Sequence, residues 1–365
     1  MKKINISREI FFEQSEILRQ FVAPDRESST SYLLFLVFPA LIYGCSTLEV
    51  NNAIVAPPED TTETILANES KTTINVPAGI ASLDVFTFED DRLQRLDSYQ
   101  RFEGTINDRM VCDIASRSGT KVMTMLANSS KDRYEWTDIN CRAALENLVF
   151  SLENERYDLP LMTSEHHVSA GSIFNSEFSH LSGEVRLRSL KCDFSGKPYE
   201  GEELTDVRIY LTNVNADISI GTDGDTNPTR IINAGRLNDA DIKRFREPEI
   251  IFRELEESVG TEKIHPDVRL RAYPNCCPEE SIGSPFTRLV IEGRICGNTY
   301  YYPIAINRMG GVAEYGLRSN RCYIYDLNIS QTGLTDPDGN IDNLSVEINM
   351  EVEEWKEKDW YDVRF

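Results

Sequence analysis

Apolar and polar residues alternate with a period of two along several stretches in the second half of the chain. This period indicates antiparallel strands that bury one face and expose the other. It is clearest at Val207-Ile209-Leu211, Leu289-Ile291, Tyr300-Tyr302-Ile304-Ile306 and Tyr323-Tyr325-Leu327-Ile329. Turn-forming Gly, Pro, Asn and Asp residues separate these stretches, and no series of strands alternating with helices appears. This half of the chain is therefore predicted to form an all-β sandwich.

The first half of the chain contains shorter apolar runs that also predict strands. Residues 82–88 and 121–127 are rich in β-branched and aromatic side chains, and charged turns bound them. Trp136, Ile139 and Ala143 recur at helical spacing, which predicts one short helix at the end of this sandwich.

A segment rich in His, Ser and Gly, residues 165–182, separates the two groups of predicted strands. The chain of 365 residues is also longer than one hydrophobic core usually spans. Two β-sandwich domains in tandem are therefore predicted, the first over residues 71–182 with the short helix and the second over residues 183–355.

The N-terminal part has the pattern of an exported lipoprotein. An apolar run at residues 32–43 has the length of a signal-peptide core and is followed by Gly44-Cys45. This ending resembles the bacterial lipobox, which predicts a signal peptide over residues 1–44 and lipidation at Cys45. Residues 45–70 are polar and predict a flexible tether. The alternative is a buried strand or helix with an incidental cysteine.

Composition narrows the range of functions. Hydrophobic residues make up 40% and charged residues 27% of the chain, which is typical of a folded globular protein. The 38 Lys and Arg against 60 Asp and Glu give a formal charge of −22, so nucleic acid is an unfavourable partner. The eight cysteines lack the C-x-x-C spacing of zinc sites or thioredoxin-type redox pairs.

The sequence predicts neither an enzyme nor a cofactor. His166 and His167 are adjacent, so on a strand they point to opposite faces, and no G-x-S-x-G or phosphate-binding glycine motif occurs. Four residues have the spacing of calcium-loop ligands, namely Asp336, Asp338, Asn340 and Asp342. Because Ile341 replaces the expected glycine, the pattern favours an acidic hairpin over a metal site.

Two alternating segments lie at the C-terminal end. Residues 344–352 predict a strand of the second sandwich with one buried face. After Trp355 and a charged break, residues 356–365 form a further candidate strand, with its apolar side chains at Trp360, Tyr361, Val363 and Phe365. Such a strand either packs on its own domain or inserts into a neighbouring molecule, so the segment is a candidate donor strand.

Several short motifs occur along the chain in an order that is typical of one protein family. They are Ser82-Leu83-Asp84-Val85-Phe86, Met125-Leu126-Ala127-Asn128, Leu161-Met162-Thr163, Tyr301-Tyr302-Pro303-Ile304, Arg318-Ser319-Asn320-Arg321-Cys322-Tyr323 and the strand from Val346 to Val352 before Trp355. Together they resemble the fimbrillin-type subunits of Bacteroidales fimbriae, the type V pilus superfamily, over most of the chain that follows Cys45. The resemblance implies two transthyretin-like Greek-key β-sandwich domains, export as a lipoprotein and assembly by strand exchange.

The resemblance also implies a function and a processing step. We expect a structural subunit of a cell-surface fimbria that supports adhesion, with other fimbrial subunits and the outer membrane as partners. Alternatives are a membrane-retained anchor or a tip adhesin that binds host protein or glycan, and a secreted glycan-active or solute-binding lipoprotein. Many stalk subunits are cut after a basic residue near the start of the first domain. Lys71 is the candidate here, because no other basic residue lies between Cys45 and Leu83.

Overall fold

The computed structural model describes residues 69–104, 107–131, 133–221, 228–308, 315–339, 341 and 345–355. The strands up to residue 182 are β1 (Glu69–Val76), β2 (Ser82–Glu89), β3 (Leu96–Glu103), β4 (Met110–Arg117), β5 (Thr120–Ala127), β6 (Val149–Ser151), β7 (Met162–Ser169), β8 (Ile173–Asn175) and β9 (Ser179–His180). The later strands are β10 (Gly183–Cys192), β11 (Thr205–Thr212), β12 (Val214–Asn215), β13 (Asp217–Ser219), β14 (Ile231–Ile232), β15 (Phe252–Glu254), β16 (Val268–Ala272), β17 (Arg288–Ile295), β18 (Asn298–Ala305), β19 (Arg321–Ile329) and β20 (Val346–Glu354). The helical elements are α1 (Arg142–Glu146) and α2 (Asp239–Ile242), with 3-10 turns at Arg133–Trp136, Leu152–Asn154 and Pro248–Ile250.

Two sheets in the first half of the chain pack face to face and form the first sandwich. One sheet has the strand order β3-β2-β5-β7-β9, and the other has the order β4-β1-β8. Buried apolar side chains from both sheets fill the interior between them, including Ile74, Val76, Leu83, Val85, Cys112, Ile114, Met123 and Met125.

The five-stranded sheet is buried on both of its faces. Leu83 and Val85 of β2 face the three-stranded sheet, whereas Phe86 and Phe88 belong to a second apolar cluster on the opposite face. There the ring of Trp136 packs edge-on against Phe86, with ring centroids 5.1 Å apart. Because both faces are covered, burial does not alternate along β2, and every residue from Ser82 to Phe88 is buried.

Two further sheets form the second sandwich, with the strand orders β16-β10-β19-β20 and β15-β11-β17-β18. Ile209 lies opposite Ile291, and Leu211 lies opposite Leu289, across β11 and β17. These four side chains are buried in a core that also includes Tyr325 of β19. The two-residue period of the sequence therefore assigns the apolar face of these strands correctly.

The two sandwiches share one apolar cluster. In addition, β6 of the first half pairs antiparallel with β13 of the second half, with Phe150 opposite Ile218. The described residues, which run from Glu69 to Trp355, all belong to one compact unit. The predicted all-β sandwich fold is confirmed, whereas the division into domains at residue 182 stays a prediction.

The region of the predicted helix contains two short elements. The spacing of Trp136, Ile139 and Ala143 predicts one helix, but a 3-10 turn and α1 occupy this stretch separately. Trp136 and Ile139 are both buried in the shared cluster, so the periodic burial is real although the backbone is not one continuous helix.

No helix within the described ranges is long and apolar enough to cross a membrane.

Candidate functional site

β1 is the central strand of the three-stranded sheet in the first sandwich. It pairs antiparallel with β4 over all eight of its residues. On its other side it pairs parallel with β8 over three residues, from Thr73 to Asn75. Removing β1 would therefore leave a groove between β4 and β8 that offers main-chain hydrogen bonds on both sides.

The inward face of β1 changes from polar to apolar along the strand. Ser70 and Thr72 occupy the first half of this face, and Ile74 and Val76 occupy the second half. Ile74 and Val76 are buried in the core of the first sandwich. Thr72 is also fully buried, and its hydroxyl accepts a hydrogen bond of 3.2 Å from the backbone N–H of Gly171.

Two charged side chains are buried in the interior of the first sandwich, and a third, partly exposed one lies beside them. The side chain of Lys121 on β5 is 1% exposed, and its ammonium group lies 2.7 Å from Glu89 and 3.4 Å from Asp97. We call these three residues the Lys121 cluster. Asp97, equally buried, also accepts a hydrogen bond of 2.9 Å from the backbone N–H of Arg117 on β4. Lys121 shares its face of β5 with Met123, so it points into the first sandwich.

A β-bulge in β3 directs Asp97 into this cluster. Thr87 lies opposite Ser98 and Phe88 lies opposite Leu96, so Asp97 is the additional residue between the two pairs. A bulge bends its strand and re-aims a side chain. No sequence signal marks the cluster, because a lysine that begins an apolar run is normally exposed.

Lys71, the candidate processing residue, lies within β1 on the outward face of the sheet. Its side chain is 67% exposed, and its ammonium group lies 2.7 Å from the carboxylate of Asp113 on β4. Thr73 donates a second hydrogen bond of 2.8 Å to the same carboxylate. The hydrogen bond from Lys71, and then that from Thr73, lowers the pKa of Asp113. A cut after Lys71 would leave residues 72–76 of β1 in the sheet.

β20 lies at the edge of its sheet and leads back to the first sandwich. The ring of Trp355 stacks on that of His180 with centroids 3.8 Å apart, and its backbone N–H donates to the carbonyl of Asn320 at 3.0 Å. Burial, and then the charge of Arg271, lowers the pKa of His180 to about 3, so the ring is neutral at physiological pH.

The lipidation and donor-strand candidates lie outside the described residues, namely Cys45, Trp360, Tyr361, Val363 and Phe365.

Two of the calcium candidates lie together, and both have protein partners. Asp336 accepts a hydrogen bond of 3.0 Å from the backbone N–H of Asp338, whose carboxylate lies 3.6 Å from Arg288. Asn340 and Asp342 lie outside the described residues. In the part of the chain that the structure describes, no three His, Cys, Asp or Glu side chains are grouped to hold a metal ion. The acidic hairpin therefore stays a prediction.

A second buried ionic cluster joins the two sandwiches. Arg271 on β16 lies 3.4 Å from Glu155 of the first half, 116 residues away in sequence. Arg271 also donates to the backbone carbonyls of Arg156 at 2.6 Å and Tyr157 at 2.8 Å. The hydroxyl of Tyr273 donates to Glu155 at 2.6 Å. Burial raises the pKa of Glu155, and the charge of Arg271 opposes this effect.

No protein-family model matches the chain, and no curated protein is detectably similar to it. Solved structures are similar in fold. A protein from Bacteroides eggerthii DSM 20697 with a proposed role in cell adhesion superposes with a TM-score of 0.59 at 14% identity, over 79% of this chain and 96% of that one. The tip fimbrial protein Mfa3 from Porphyromonas gingivalis, with a C-terminal truncation, superposes with a TM-score of 0.52 at 12% identity, over 79% and 100%. A fimbrilin (FimA) from Porphyromonas gingivalis W83 gives 0.52 at 14% identity, over 78% and 98%.

The chain shares its fold with these fimbrial and cell-adhesion structures. The all-β sandwich fold expected from the sequence is thus confirmed, although the sequence identities are low, and the number of domains stays a prediction. The main features of the first sandwich are the central position of β1, the Lys121 cluster in the interior and the outward position of Lys71.

Proposed function

We propose that the chain is a subunit of a cell-surface fimbria, exported as a lipoprotein and joined to other subunits by strand exchange. The observation that carries this proposal is the central position of β1 between β4 and β8, in a fold shared with fimbrial proteins. A strand of another molecule can fill such a position, because main-chain hydrogen bonds provide affinity and alternate side chains provide specificity.

Within the fimbria, we propose that the chain is a membrane-retained anchor held through Cys45. Lys71 lies inside β1, and the next Lys or Arg is Arg92, which follows β2. A cut after Lys71 would leave five of the eight residues of β1 in place, so cleavage at a basic residue does not release the strand. A subunit that keeps β1 fills its own groove and belongs at one end of a fibre.

The partner of this anchor is another fimbrial subunit, and residues 356–365 supply the strand that joins the two. Apolar and polar side chains alternate in the last residues of this segment, with Tyr361, Val363 and Phe365 on one face. The segment follows Trp355, which packs on His180 of the first half. Trp355, the last described residue before the proposed donor strand, therefore lies beside the first sandwich.

N-terminal sequencing and intact-mass measurement of the protein in purified fimbriae test this proposal. We expect a chain that begins at a lipidated Cys45 and retains the bond between Lys71 and Thr72. A chain that begins at Thr72 would contradict the anchor position but not the fimbrial role. Absence of the protein from fimbriae would contradict both.

A further inference from the structure

We propose that a polar cavity on the outward face of the second sandwich binds a neutral oligosaccharide. The cavity has a volume of about 440 Å³, and small-molecule sites commonly range from about 300 to 1,000 Å³. It lies over β11, β15, β17 and β18, and its polar lining side chains are those of Asp206, Arg208, Glu254, Glu292, Arg294 and Thr299. The inference goes beyond the fimbrial role, because it assigns a ligand to a part of the molecule that strand exchange does not use.

Three charged side chains form a row across neighbouring strands in this cavity. Arg208 lies opposite Glu254 of β15 on one side and opposite Glu292 of β17 on the other. The guanidinium of Arg208 donates to the carboxylate of Glu292, and the hydroxyl of Tyr210 donates to the same carboxylate at 3.0 Å. The side chain of Glu292 is 5% exposed, whereas that of Arg208 is 39% exposed. The buried contacts therefore hold Arg208 in place while part of its guanidinium stays accessible.

A β-bulge adds a second pair of charges at the end of the row. Two residues of β11, Asp206 and Val207, lie opposite Gly293 alone in β17. Asp206 has a φ of +48°, which is uncommon for a residue other than glycine. The carboxylate of Asp206 lies 3.4 Å from the guanidinium of Arg294 on β17. Because bulges re-aim side chains and occur often beside functional sites, this irregularity supports a binding role for the cavity.

The order of charges in the lining favours hydroxyl groups over ions. Each guanidinium lies beside a carboxylate, so an ion of either sign would approach a group of its own sign. A hydroxyl both donates and accepts hydrogen bonds, so adjacent hydroxyls of one sugar can donate to carboxylates and accept from guanidinium groups. The lining has three carboxylates and two guanidinium groups, and the formal charge of the chain is −22. An anionic sugar is therefore a poorer ligand than a neutral one.

The small apolar part of the lining also favours a saccharide over a peptide or an acyl chain. Val207 is buried and Leu255 is half-buried, so the cavity offers little apolar surface to an incoming apolar group. Tyr301 lies opposite Glu292 on β18 and is half-buried. Its ring has an apolar body and a polar tip, so it extends the row with a surface that suits the C–H and O–H groups of a sugar.

Saturation-transfer difference NMR on the full chain tests the proposal, with titration of each probe for affinity. The neutral probes are lactose, maltose and N,N′-diacetylchitobiose, and the anionic probe is 3′-sialyllactose. We expect at least one neutral probe to bind more tightly than 3′-sialyllactose. Two variants locate the site, namely Glu254→Gln and Arg294→Gln. Both side chains are exposed, so neither change should move the urea midpoint.

Each variant has a control that removes the same charge outside the cavity lining. Glu256→Gln is the control for Glu254→Gln, because Glu256 is exposed and lies two residues further along the chain. Arg92→Gln is the control for Arg294→Gln, because Arg92 is an exposed residue of the first sandwich. We expect each cavity variant to weaken binding of the neutral probe about tenfold, since it removes a hydrogen bond to a charged group. Each control should stay within about twofold of the unaltered chain.

Three results would overturn the proposal. They are the absence of binding by all three neutral probes, binding of 3′-sialyllactose alone, and binding that the cavity variants leave unchanged. The last result would place the saccharide elsewhere on the molecule. None of these results bears on strand exchange or lipidation, because the proposed groove lies in the first sandwich and Cys45 precedes it. N-terminal sequencing decides those questions separately.

Discussion

Replacing Arg271 by methionine tests whether buried ionic contacts help to hold the two sandwiches together. The side chain of Arg271 is 3% exposed and that of Glu155 is 5% exposed. The substitution keeps most of the aliphatic volume but removes the cation beside Glu155. It also removes the donor for the carbonyls of Arg156 and Tyr157.

The contacts that are lost set the size of the expected effect. Breaking a buried ion pair by removing one partner costs about 3–5 kcal/mol, because the other charge stays buried without compensation. The two carbonyls lose buried hydrogen bonds as well, so we expect a value in the upper part of this range. Arg269 provides the matched control, since it lies two residues earlier on the same face of β16, is 29% exposed and pairs with Asp267 at 3.0 Å. Arg269→Met should cost less than about 1 kcal/mol.

The penalty for Arg271→Met should depend on pH. Burial raises the pKa of Glu155 above its ordinary value of 4.5. A folded state with a raised carboxyl pKa binds the proton more tightly than the unfolded state, so the contribution of this group to stability falls as pH rises through the window above 4.5. Without Arg271 the pKa of Glu155 rises further. The penalty should therefore be larger at neutral pH than at mildly acidic pH.

Urea unfolding followed by tryptophan fluorescence, at neutral and at mildly acidic pH, measures both effects. Each variant is compared with the unaltered chain at the same pH, so the titration of other carboxyl groups cancels to first order. Similar losses for Arg271→Met and Arg269→Met would refute the structural role of the Arg271 contacts. A penalty that grows on acidification would refute the assignment of the buried charge to Glu155.

Three further predictions concern the anchor, the donor strand and a tight turn. Cys45→Ala should leave the precursor unprocessed, and incorporation of labelled fatty acid into this variant would contradict lipidation at Cys45. Deleting residues 359–365 should leave the melting temperature unchanged but exclude the chain from high-mass fimbriae, and normal polymerisation would contradict the donor role. Gly316→Ala should cost more than about 1 kcal/mol in urea unfolding, because Gly316 has a φ of +74° and an added Cβ would overlap the carbonyl oxygen of Asn275. An unchanged midpoint would contradict that strain.

The long strands could be predicted from the sequence because their own side chains determine which face is buried. The alternation at Ile209 and Leu211 of β11 is an example, since both residues face the core of the second sandwich. Short strands such as β8 and β9 could not be predicted, because two or three residues carry no period and their partners determine their position. The run at Trp136 and Ile139 predicts a helix because burial against the sheet recurs there at helical spacing.

The candidate site could be predicted only in part. The sequence identifies Lys71 but predicts no strand at β1, whose first two residues lie within the predicted tether 45–70, and the burial of Lys121 depends on the bulge that turns Asp97 inward from another strand. The pair Glu155 and Arg271 is separated by 116 residues and joins two sandwiches, so no local pattern indicates it. Buried charges become recognisable only when their compensating partners are located in space.

In the proposed strand exchange, two barriers would keep a donor strand out of the groove while β1 remains linked to β2. β1 ends at Val76 and β2 begins at Ser82, so a five-residue turn holds β1 beside its groove. A short linker of this kind gives an effective concentration on the order of mM, which a strand from another subunit would have to exceed. The hydrogen bond from the N–H of Gly171 to the hydroxyl of Thr72 adds a smaller preference, about threefold, because Gly171 is exposed and its N–H can bond to water instead. The two factors multiply. A donor strand that fits as well as β1 must still exceed the effective concentration of the linked β1, and a donor strand that fits less well must also overcome its weaker binding. A protease specific for basic residues cannot cut the turn, since it contains no Lys or Arg, so such a subunit would end the fibre even where other subunits are processed.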